Sequence, residues 1–500
     1  MRDNLTLAQS WDKLVAMSAS VLAEQHHPES IANTYLHPLN AHPNVLARYA
    51  ALFEGRPAHA TRLYNAAAGL AIELKALAQP TDLFDGDELP KQVDILFLSH
   101  FLRSSQAHDL SDLYFGTLPQ WLAQRRVSSV TALINHSRQS WDKLSRDWVS
   151  GDVRRVLLSR NTDLRTERKI ASRLAVAAKR LAQTRAPQAS NFDRQFLAHA
   201  AANANSPGSR TALRIAGQVR ELVRRLKPRM LVTTYEGHSW ERLAFHAARL
   251  ANPEIICVGY HHALLFPFTN AMARRLGRSY DPDHILTAGD NTTDWLSNQV
   301  GVQDIPTATM GSVRAPATAI SPERVEGHRT CLVIPEGTVL ETLKLAELAA
   351  QAGRQAPGVT FRIRLHPVLS LERLLREHTS LRSLPSNVTW SKASLDDDLC
   401  ISRWALYRGT TAVIASILAG LKPFYYDDGG INIDPLNAMP VWRHTVAKAG
   451  DLVRSVEVDL ATSAAIRRAD CETAVAYCRK CFSTFDPSVL MTILSTKAPR

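Results

Sequence analysis

Short, mainly apolar runs separated by helical patterns are the feature that most restricts the fold of this 500-residue chain. Residues 93–98, 230–234 and 331–334 are runs of this kind, and each is followed by polar residues. A strand that is apolar on both faces belongs to a parallel sheet covered by helices on both sides. We therefore predict an α/β fold built on parallel sheets.

The runs fall into two groups, which predicts two doubly wound domains. The first 90 residues show helical periodicity and no such runs, so we expect a helical N-terminal extension at 1–90. The domains are expected at 91–310 and 325–480, joined by a proline-containing linker within 305–328, and residues 481–500 are expected to form a C-terminal tail. The carboxyl ends of the strands of both domains would then face one cleft.

Charge and composition restrict the partners. Lys and Arg number 59 against 47 Asp and Glu, which gives a net charge of +12 and favours an anionic partner such as nucleic acid, an anionic lipid surface or a phosphorylated substrate. We expect no nucleic-acid binding, because no recognisable module surrounds the basic clusters and aromatic residues are only 7% of the chain. An anionic inner-membrane surface suits the charge better.

The chain is expected to be cytoplasmic, either free or peripheral at the inner face of the membrane. Its residues 411–421 form an apolar stretch far shorter than the roughly 20 residues of a membrane-spanning helix. Residues 1–4 do not begin a signal peptide, and six cysteines in 500 residues do not make a disulfide framework.

Two strand ends in the first domain carry groups suited to acid–base chemistry. Glu236 follows the run 230–234 and precedes Gly237, which makes it a candidate catalytic base. The alternative is that Glu236 only caps the following helix. The next run ends at Tyr260-His261-His262, and we expect His261 to face the cleft.

Two strand ends in the second domain offer groups that bind anions. Arg364 precedes His366 and Pro367, and the proline holds His366 away from helical geometry at the edge of the sheet. Gly409-Thr410-Thr411 lies between a strand and a helix, where free amides and hydroxyls suit a phosphate, although capping would also explain one threonine.

These motifs resemble those of GT-B glycosyltransferases, a fold of two facing Rossmann-like domains, over about residues 91–480. His366-Pro367 together with Thr410-Thr411 resembles the His-Pro and Ser/Thr motifs of bacterial sialyltransferases, polysialyltransferases and capsule Kdo transferases. In those enzymes the motifs hold the phosphate of a CMP-activated ulosonic acid. The chain also resembles the surface carbohydrate biosynthesis proteins of bacterial polysaccharide clusters.

The resemblance extends to two further segments. Glu336-Gly337, after the run 331–334, is similar to the turn that opens the nucleotide-binding domain of these enzymes. Residues 283–289 are similar to the end of the first domain in polyol-phosphate and capsule transferases. The resemblance implies that the first domain binds the acceptor and that the second binds the nucleotide sugar, with Arg364, His366, Pro367, Glu336, Gly337, Gly409, Thr410 and Thr411 around the nucleotide.

The function that follows is transfer of a sialic-acid-like or Kdo-like sugar from a CMP donor onto a bacterial surface glycan, in capsule or lipopolysaccharide. Glu236, His261 and His366 are the expected catalytic residues. No cofactor beyond the donor and no metal are expected, because no Asp-x-Asp triplet follows a convincing strand in the nucleotide half. The alternatives are a GT-B transferase with another nucleotide-activated or polyol-phosphate donor, a sugar-nucleotide epimerase and, more remotely, a basic nucleic-acid-binding protein.

Overall fold

A computed structural model describes residues 5–78, 82–184, 190–299, 301–315 and 325–495. Within these ranges the strands form two sheets, one of eight strands and one of six. We call the parts of the chain built on them the first and second domains.

The first sheet has the strand order β1-β4-β3-β2-β5-β6-β7-β8. Its strands are β1 (Phe84–Gly86), β2 (Ile95–Phe101), β3 (Ser129–Asn135), β4 (Arg154–Leu158), β5 (Met230–Thr234), β6 (Ile256–His261), β7 (His284–Thr287) and β8 (Thr307–Thr309). All neighbours pair in parallel except β1, which is antiparallel to β4. Its helices are α6 (Leu118–Ala123), α7 (Trp141–Leu144), α8 (Leu164–Gln183), α9 (Asn191–Asn203), α10 (Pro207–Leu226), α11 (Ser239–Ala251) and α12 (Asp290–Ser297).

Strand β2 shows why this sheet is apolar on both sides. Leu96 and Leu98 lie in one core cluster with residues of α10 and α11, whereas Ile95 and Phe97 lie in another with residues of α6. Successive side chains of a strand point to opposite faces, so a run without alternation needs cover on both faces.

The second sheet has the order β11-β10-β9-β12-β13-β14, and every neighbouring pair is parallel. Its strands are β9 (Thr330–Ile334), β10 (Thr360–Ile363), β11 (Val388–Trp390), β12 (Trp404–Tyr407), β13 (Lys422–Tyr426) and β14 (His444–Val446). Its helices are α13 (Val339–Gln355), α14 (Leu371–Glu377), α15 (Leu395–Cys400), α16 (Ala412–Leu418) and α17 (Ala449–Ala461).

The N-terminal extension is helical and packs on the first domain. Its helices are α1 (Leu7–Glu24), α2 (Pro28–Ala32), α3 (Pro43–Leu46), α4 (Ala50–Phe53) and α5 (His59–Ala78). Trp11, Tyr35 and Tyr49 are buried in one cluster with residues of α8 and α9. This cluster also contains Ile431 and Ile433 of the second domain, so the extension contacts both domains.

The C-terminal segment returns from the second domain to the first. Helix α18 (Ala464–Arg479) packs beside α16 and buries Cys471 and Cys478 as apolar side chains. Helix α19 (Ser488–Ser495) then places Leu490 and Leu494 in the core of the first sheet. The part of the predicted tail 481–500 that the structure describes is therefore packed against the first domain.

The predicted fold class is confirmed: two sheets of parallel strands, covered by helices, follow a helical N-terminal region. Three short strands were not predicted, because three residues show little periodicity and their pairing comes from tertiary context. Strand β1 lies in the acidic segment that precedes the first predicted strand, β8 lies at the start of the predicted linker 305–328, and β14 lies after the last predicted strand. Residues 316–324 of that linker lie outside the described residues. In the described part of the chain, no helix combines the length and apolarity needed to cross a membrane.

Candidate active site

Some of the predicted residues follow the strands between which the strand order reverses in each sheet, whereas His261 ends β6 and His366 follows β10. In the first sheet this switch falls between β2 and β5, and in the second between β9 and β12. In open α/β sheets the crevice at the carboxyl ends of such strands binds the ligand. Glu236 follows β5, Glu336 follows β9 and Thr410 follows β12, so both switch points carry predicted residues.

Glu236 does not cap helix α11. The carboxylate of Glu241 accepts hydrogen bonds from the backbone amides of Glu236, Gly237 and His238, at 2.8–3.1 Å. Gly237 has a φ of +87°, and a Cβ there would lie 2.3 Å from the carbonyl carbon of Ala271. The turn therefore requires glycine and leaves the carboxylate of Glu236 available for other partners.

Histidines surround the carboxylate of Glu236. Nε2 of His238 lies 3.4 Å from Oε2, and Nε2 of His262 lies 4.0 Å from Oε1. Burial alone would raise the pKa of Glu236, but the hydrogen bond from His238 and the nearby His262 and His261 lower it well below its usual range. Burial acts to lower the pKa of His238, and its contacts with Glu236 and Glu241 raise it above the usual value. Glu236 is thus held ionised at neutral pH.

His262, rather than the predicted His261, lies beside the carboxylate of Glu236, with its Nε2 4.0 Å from Oε1. His261 is 4% exposed, and its Nδ1 lies 2.9 Å from the carbonyl oxygen of Tyr235, which holds the ring against the sheet. His262 packs edge-on against Tyr114, with ring centroids 4.3 Å apart, and burial lowers its pKa to about 4. The structure therefore favours His262 for the role assigned to His261.

His100 and His136 extend this cluster along the edge of the sheet. Nδ1 of His100 lies 3.0 Å from Nε2 of His136, and Nε2 of His100 lies 3.0 Å from Oγ1 of Thr234. His100 is the last residue but one of β2, and His136 directly follows β3. Their positions at strand ends could have identified them from the sequence, but neither was predicted as a site residue.

His100 makes the stability of the first domain depend on pH. Burial, together with His136 and His262, lowers the pKa of His100 to about 3, whereas an unfolded histidine titrates near 6.5. The unfolded chain therefore binds a proton first as pH falls below about 6.5, and the folded state loses stability. From pH 7 to pH 5 we expect a loss of about 2 kcal/mol from this residue. Urea unfolding at both pH values should show that His100→Asn reduces the loss; an unchanged pH dependence would contradict the assignment.

Five of the eight predicted second-domain residues line one cavity of about 420 Å³, namely Arg364, His366, Pro367, Thr410 and Thr411. The lining does not include Glu336, Gly337 and Gly409. The polar lining comes from the loops after β10 and β12 and, through Arg314, from the chain after β8. Pro335, Pro367 and Phe482 are among its apolar lining residues.

His366 presents a donor to this cavity. Its Nδ1 accepts a hydrogen bond from the amide of Val368 at 3.3 Å, so a neutral ring carries its proton on Nε2. Gly337 allows the turn after β9 to lie against this ring, because a Cβ at Gly337 would lie 3.1 Å from Nδ1 of His366.

The loop after β12 packs closely against neighbouring side chains at Gly409. A Cβ on Gly409 would lie 2.7 Å from Cδ1 of Ile433 and 3.2 Å from Oε1 of Glu336. Oγ1 of Thr410 accepts a hydrogen bond from the amide of Ala412 at 3.3 Å. Oε2 of Glu336 lies 3.4 Å from Nε2 of His42, whereas its Oε1 is buried without a hydrogen-bond partner among the described residues.

The charge of Arg364 is partly neutralised. Its Nη1 donates to the carbonyl of Ala393 at 2.7 Å and to Oδ2 of the buried Asp398 at 2.9 Å. Asp398 also accepts from Arg362, so this carboxylate organises the strand end. Arg364 lines the cavity, but His366 and the threonines are better placed to meet an anion.

Arg314 links the two halves of the site. Its guanidinium lies over the ring of Tyr114, 5.3 Å from the centroid, and Tyr114 contacts His262. Arg314 also lines the second-domain cavity. The carboxylate of Glu236 and the cavity around His366 are therefore connected through three side chains.

In the described part of the chain, no three or more His, Cys, Asp or Glu side chains lie close enough together to hold a metal ion. Metal independence stays a prediction.

No known protein-family profile matches the chain, and no curated protein sequence matches it. Solved structures with a similar course of the chain include the glycosyltransferase SnogD from Streptomyces nogalater, at 16% identity and a TM-score of 0.44, covering 81% of this chain and 100% of that one. MurG from Acinetobacter baumannii has 12% identity and a TM-score of 0.45, with coverage of 81% and 99%. A UDP-N-acetylglucosamine 2-epimerase from Rickettsia bellii has 9% identity and a TM-score of 0.44, with coverage of 81% and 96%.

Proposed function

We propose that the protein is a glycosyltransferase that moves a sugar from a nucleotide donor in the second-domain cavity onto an acceptor hydroxyl beside Glu236. The observation that carries the proposal is the connection through Arg314, Tyr114 and His262 between an ionised carboxylate and a cavity lined by phosphate-binding groups. A transfer reaction needs these two chemistries on either side of one bond.

The donor side offers neutral and cationic hydrogen-bond donors to a phosphate. Nε2–H of His366 and the hydroxyls of Thr410 and Thr411 line the cavity, and Arg314 adds a positive charge. As the bond between the anomeric carbon and the phosphate oxygen breaks, negative charge grows on that oxygen. Donors already in place stabilise this charge without reorganisation.

The acceptor side supplies the base. The acceptor hydroxyl loses its proton to the carboxylate of Glu236 as its oxygen bonds to the anomeric carbon. A protonated His238 keeps the pKa of Glu236 low. The carboxylate of Glu236 is therefore a stronger base when His238 is neutral than when His238 is protonated. Tyr114 and His262 form the wall between this base and the donor.

We assign the donor to CMP-linked ulosonic acids, such as sialic-acid-like and Kdo-like sugars, and the acceptor to a bacterial surface glycan. The His366-Pro367 and Thr410-Thr411 motifs, now in one cavity, support this assignment. The net charge of +12 supports work at the anionic inner face of the membrane.

Thermal unfolding in the presence of CMP, CDP, UDP and GDP tests the donor assignment. We expect CMP to stabilise the protein most, by about 2.7 kcal/mol at a concentration 100-fold above its Kd. Larger stabilisation by UDP or GDP would contradict the CMP donor but keep the transferase. No stabilisation by any of the four nucleotides would contradict the nucleotide cavity. Release of nucleotide from the donor that requires an acceptor glycan would separate a transferase from an epimerase.

A further inference from the structure

A second polar cavity, of about 590 Å³, lies beyond the histidine cluster at the carboxyl ends of β3 and β4. None of the steps above uses it. It is larger than the donor cavity, and its lining combines basic side chains with carboxylates, amides and an indole.

Four basic side chains line the cavity: Lys75, Arg138, Lys143 and Arg160. Among the described residues, no carboxylate forms an ion pair with any of the four. Burial, then Arg138 and Arg214, lowers the pKa of Arg160, and burial, then Arg160 and Arg214, lowers that of Lys75. Basic side chains without an ion-pair partner attract an anionic ligand.

The turn that carries Arg138 is held in place by its own side chains. Nδ2 of Asn135 donates to the carbonyl of Gln139 at 3.0 Å, and the amide of Ser137 donates to Oδ1 of Asn135 at 3.1 Å. Arg138 itself has a φ of +63°, a left-handed conformation that costs free energy in a residue with a side chain. The turn therefore fixes the backbone of Arg138 at the cavity.

The acidic lining suits the hydroxyl groups of a sugar. Asp82, Asp85 and Asp142 all line the cavity, and burial, with Asp82 and Asp142 close by, raises the pKa of Asp85. Ionised carboxylates only accept hydrogen bonds and therefore select hydroxyl donors. Trp141 adds an apolar ring surface beside them.

The cavity adjoins the proposed base. His136 follows β3 directly, and its pKa is lowered by burial, then by Arg160 and His238. His136 bonds to His100, which bonds to Thr234 at the end of the strand that leads to Glu236. The pair His100 and His136 therefore lies between β4, which borders this cavity, and β5, which leads to Glu236.

We infer that this cavity binds an acidic sugar unit of the acceptor, with its carboxylate or phosphate on Lys75, Arg138 and Arg160 and its hydroxyls on the carboxylates of the same cavity. The inference rests on the proposed function only where it calls the bound sugar part of the acceptor. Binding of an acidic sugar does not depend on transfer. It assigns the acceptor to the class of anionic glycans.

Titrations with glucose, glucuronate and glucose 6-phosphate test the inference without the natural acceptor. We expect at least one of the two anionic sugars to bind about tenfold more tightly than glucose. The double variant Lys75→Ala with Arg160→Ala should lose that preference and keep both its melting temperature and its affinity for CMP. Glucuronate and glucose 6-phosphate distinguish a carboxylate from a phosphate as the recognised group.

Two control variants make the result specific. Arg125→Ala removes a surface cation that stacks on Trp121 outside the cavity, and His366→Ala changes the donor cavity; both should keep the preference for the anionic sugar. Equal binding of all three sugars, or a preference that survives the double variant, would overturn the inference. If the double variant unfolds, Arg160→Gln gives the same test with one neutral side chain. Because CMP binding is measured separately, failure here is distinguishable from failure of the donor site.

Discussion

Glu236→Gln should reduce glycosyl transfer by about 10²- to 10⁴-fold, the usual contribution of a positioned general base. Glutamine keeps the shape of the side chain but cannot accept the proton of the acceptor hydroxyl. The cap of helix α11 should be kept, because the carboxylate of Glu241, and not that of Glu236, accepts the hydrogen bonds from the three backbone amides before the helix. Nucleotide affinity should also be unchanged, because the donor cavity is lined by other residues.

The measurement is single-turnover transfer with the nucleotide donor that stabilises the protein most. Glu241→Gln is the matched control, because it alters the neighbouring carboxylate, and we expect it to lower the melting temperature more than Glu236→Gln does. Wild-type transfer in Glu236→Gln would show that the carboxylate is not the base and would direct attention to His262.

His366→Ala should reduce transfer by about 10²-fold or more while the protein stays folded. The imidazole lies at the surface of the donor cavity, and its Nδ1 accepts only the amide of Val368. Loss of the ring removes Nε2–H from the position assigned to the leaving phosphate. The affinity for CMP should fall by about tenfold, as expected for one hydrogen bond to a charged group.

His378→Ala is the matched control, since His378 follows α14 outside the cavity and should tolerate the change. Transfer rate, CMP affinity and the melting curve should be measured together for both variants. A His366→Ala protein that no longer melts cooperatively would show that the histidine is structural.

The order of elements was predictable because the buried strands carry an unusually clear signal. Met230–Thr234 has the bounds of its predicted run, and Thr330–Ile334 begins one residue before the predicted run 331–334. Strands β8 and β14 escaped prediction, because three residues at a sheet edge gain their order from a neighbouring strand and not from their own pattern.

The site was predictable in part, for a geometric reason. Strand ends identify residues that share a sheet edge, so Glu236, His366 and Thr410 could be grouped before their contacts were known. Whether His261 or His262 faces the carboxylate of Glu236 depends on the backbone conformation after β6, and the sequence does not determine that conformation. Contacts made far along the chain, such as those of Arg314 with Tyr114 and of His42 with Glu336, were likewise beyond reach.

The most direct test of the central claim is a crystal structure of the protein soaked with CMP. The account predicts that the phosphate lies within hydrogen-bond distance of Nε2 of His366 and of a hydroxyl of Thr410 or Thr411, with Glu236 across the cleft beyond Arg314. A phosphate bound instead in the separate, apolar cavity between Phe266, Trp295 and Pro435 would contradict the assignment of the donor site.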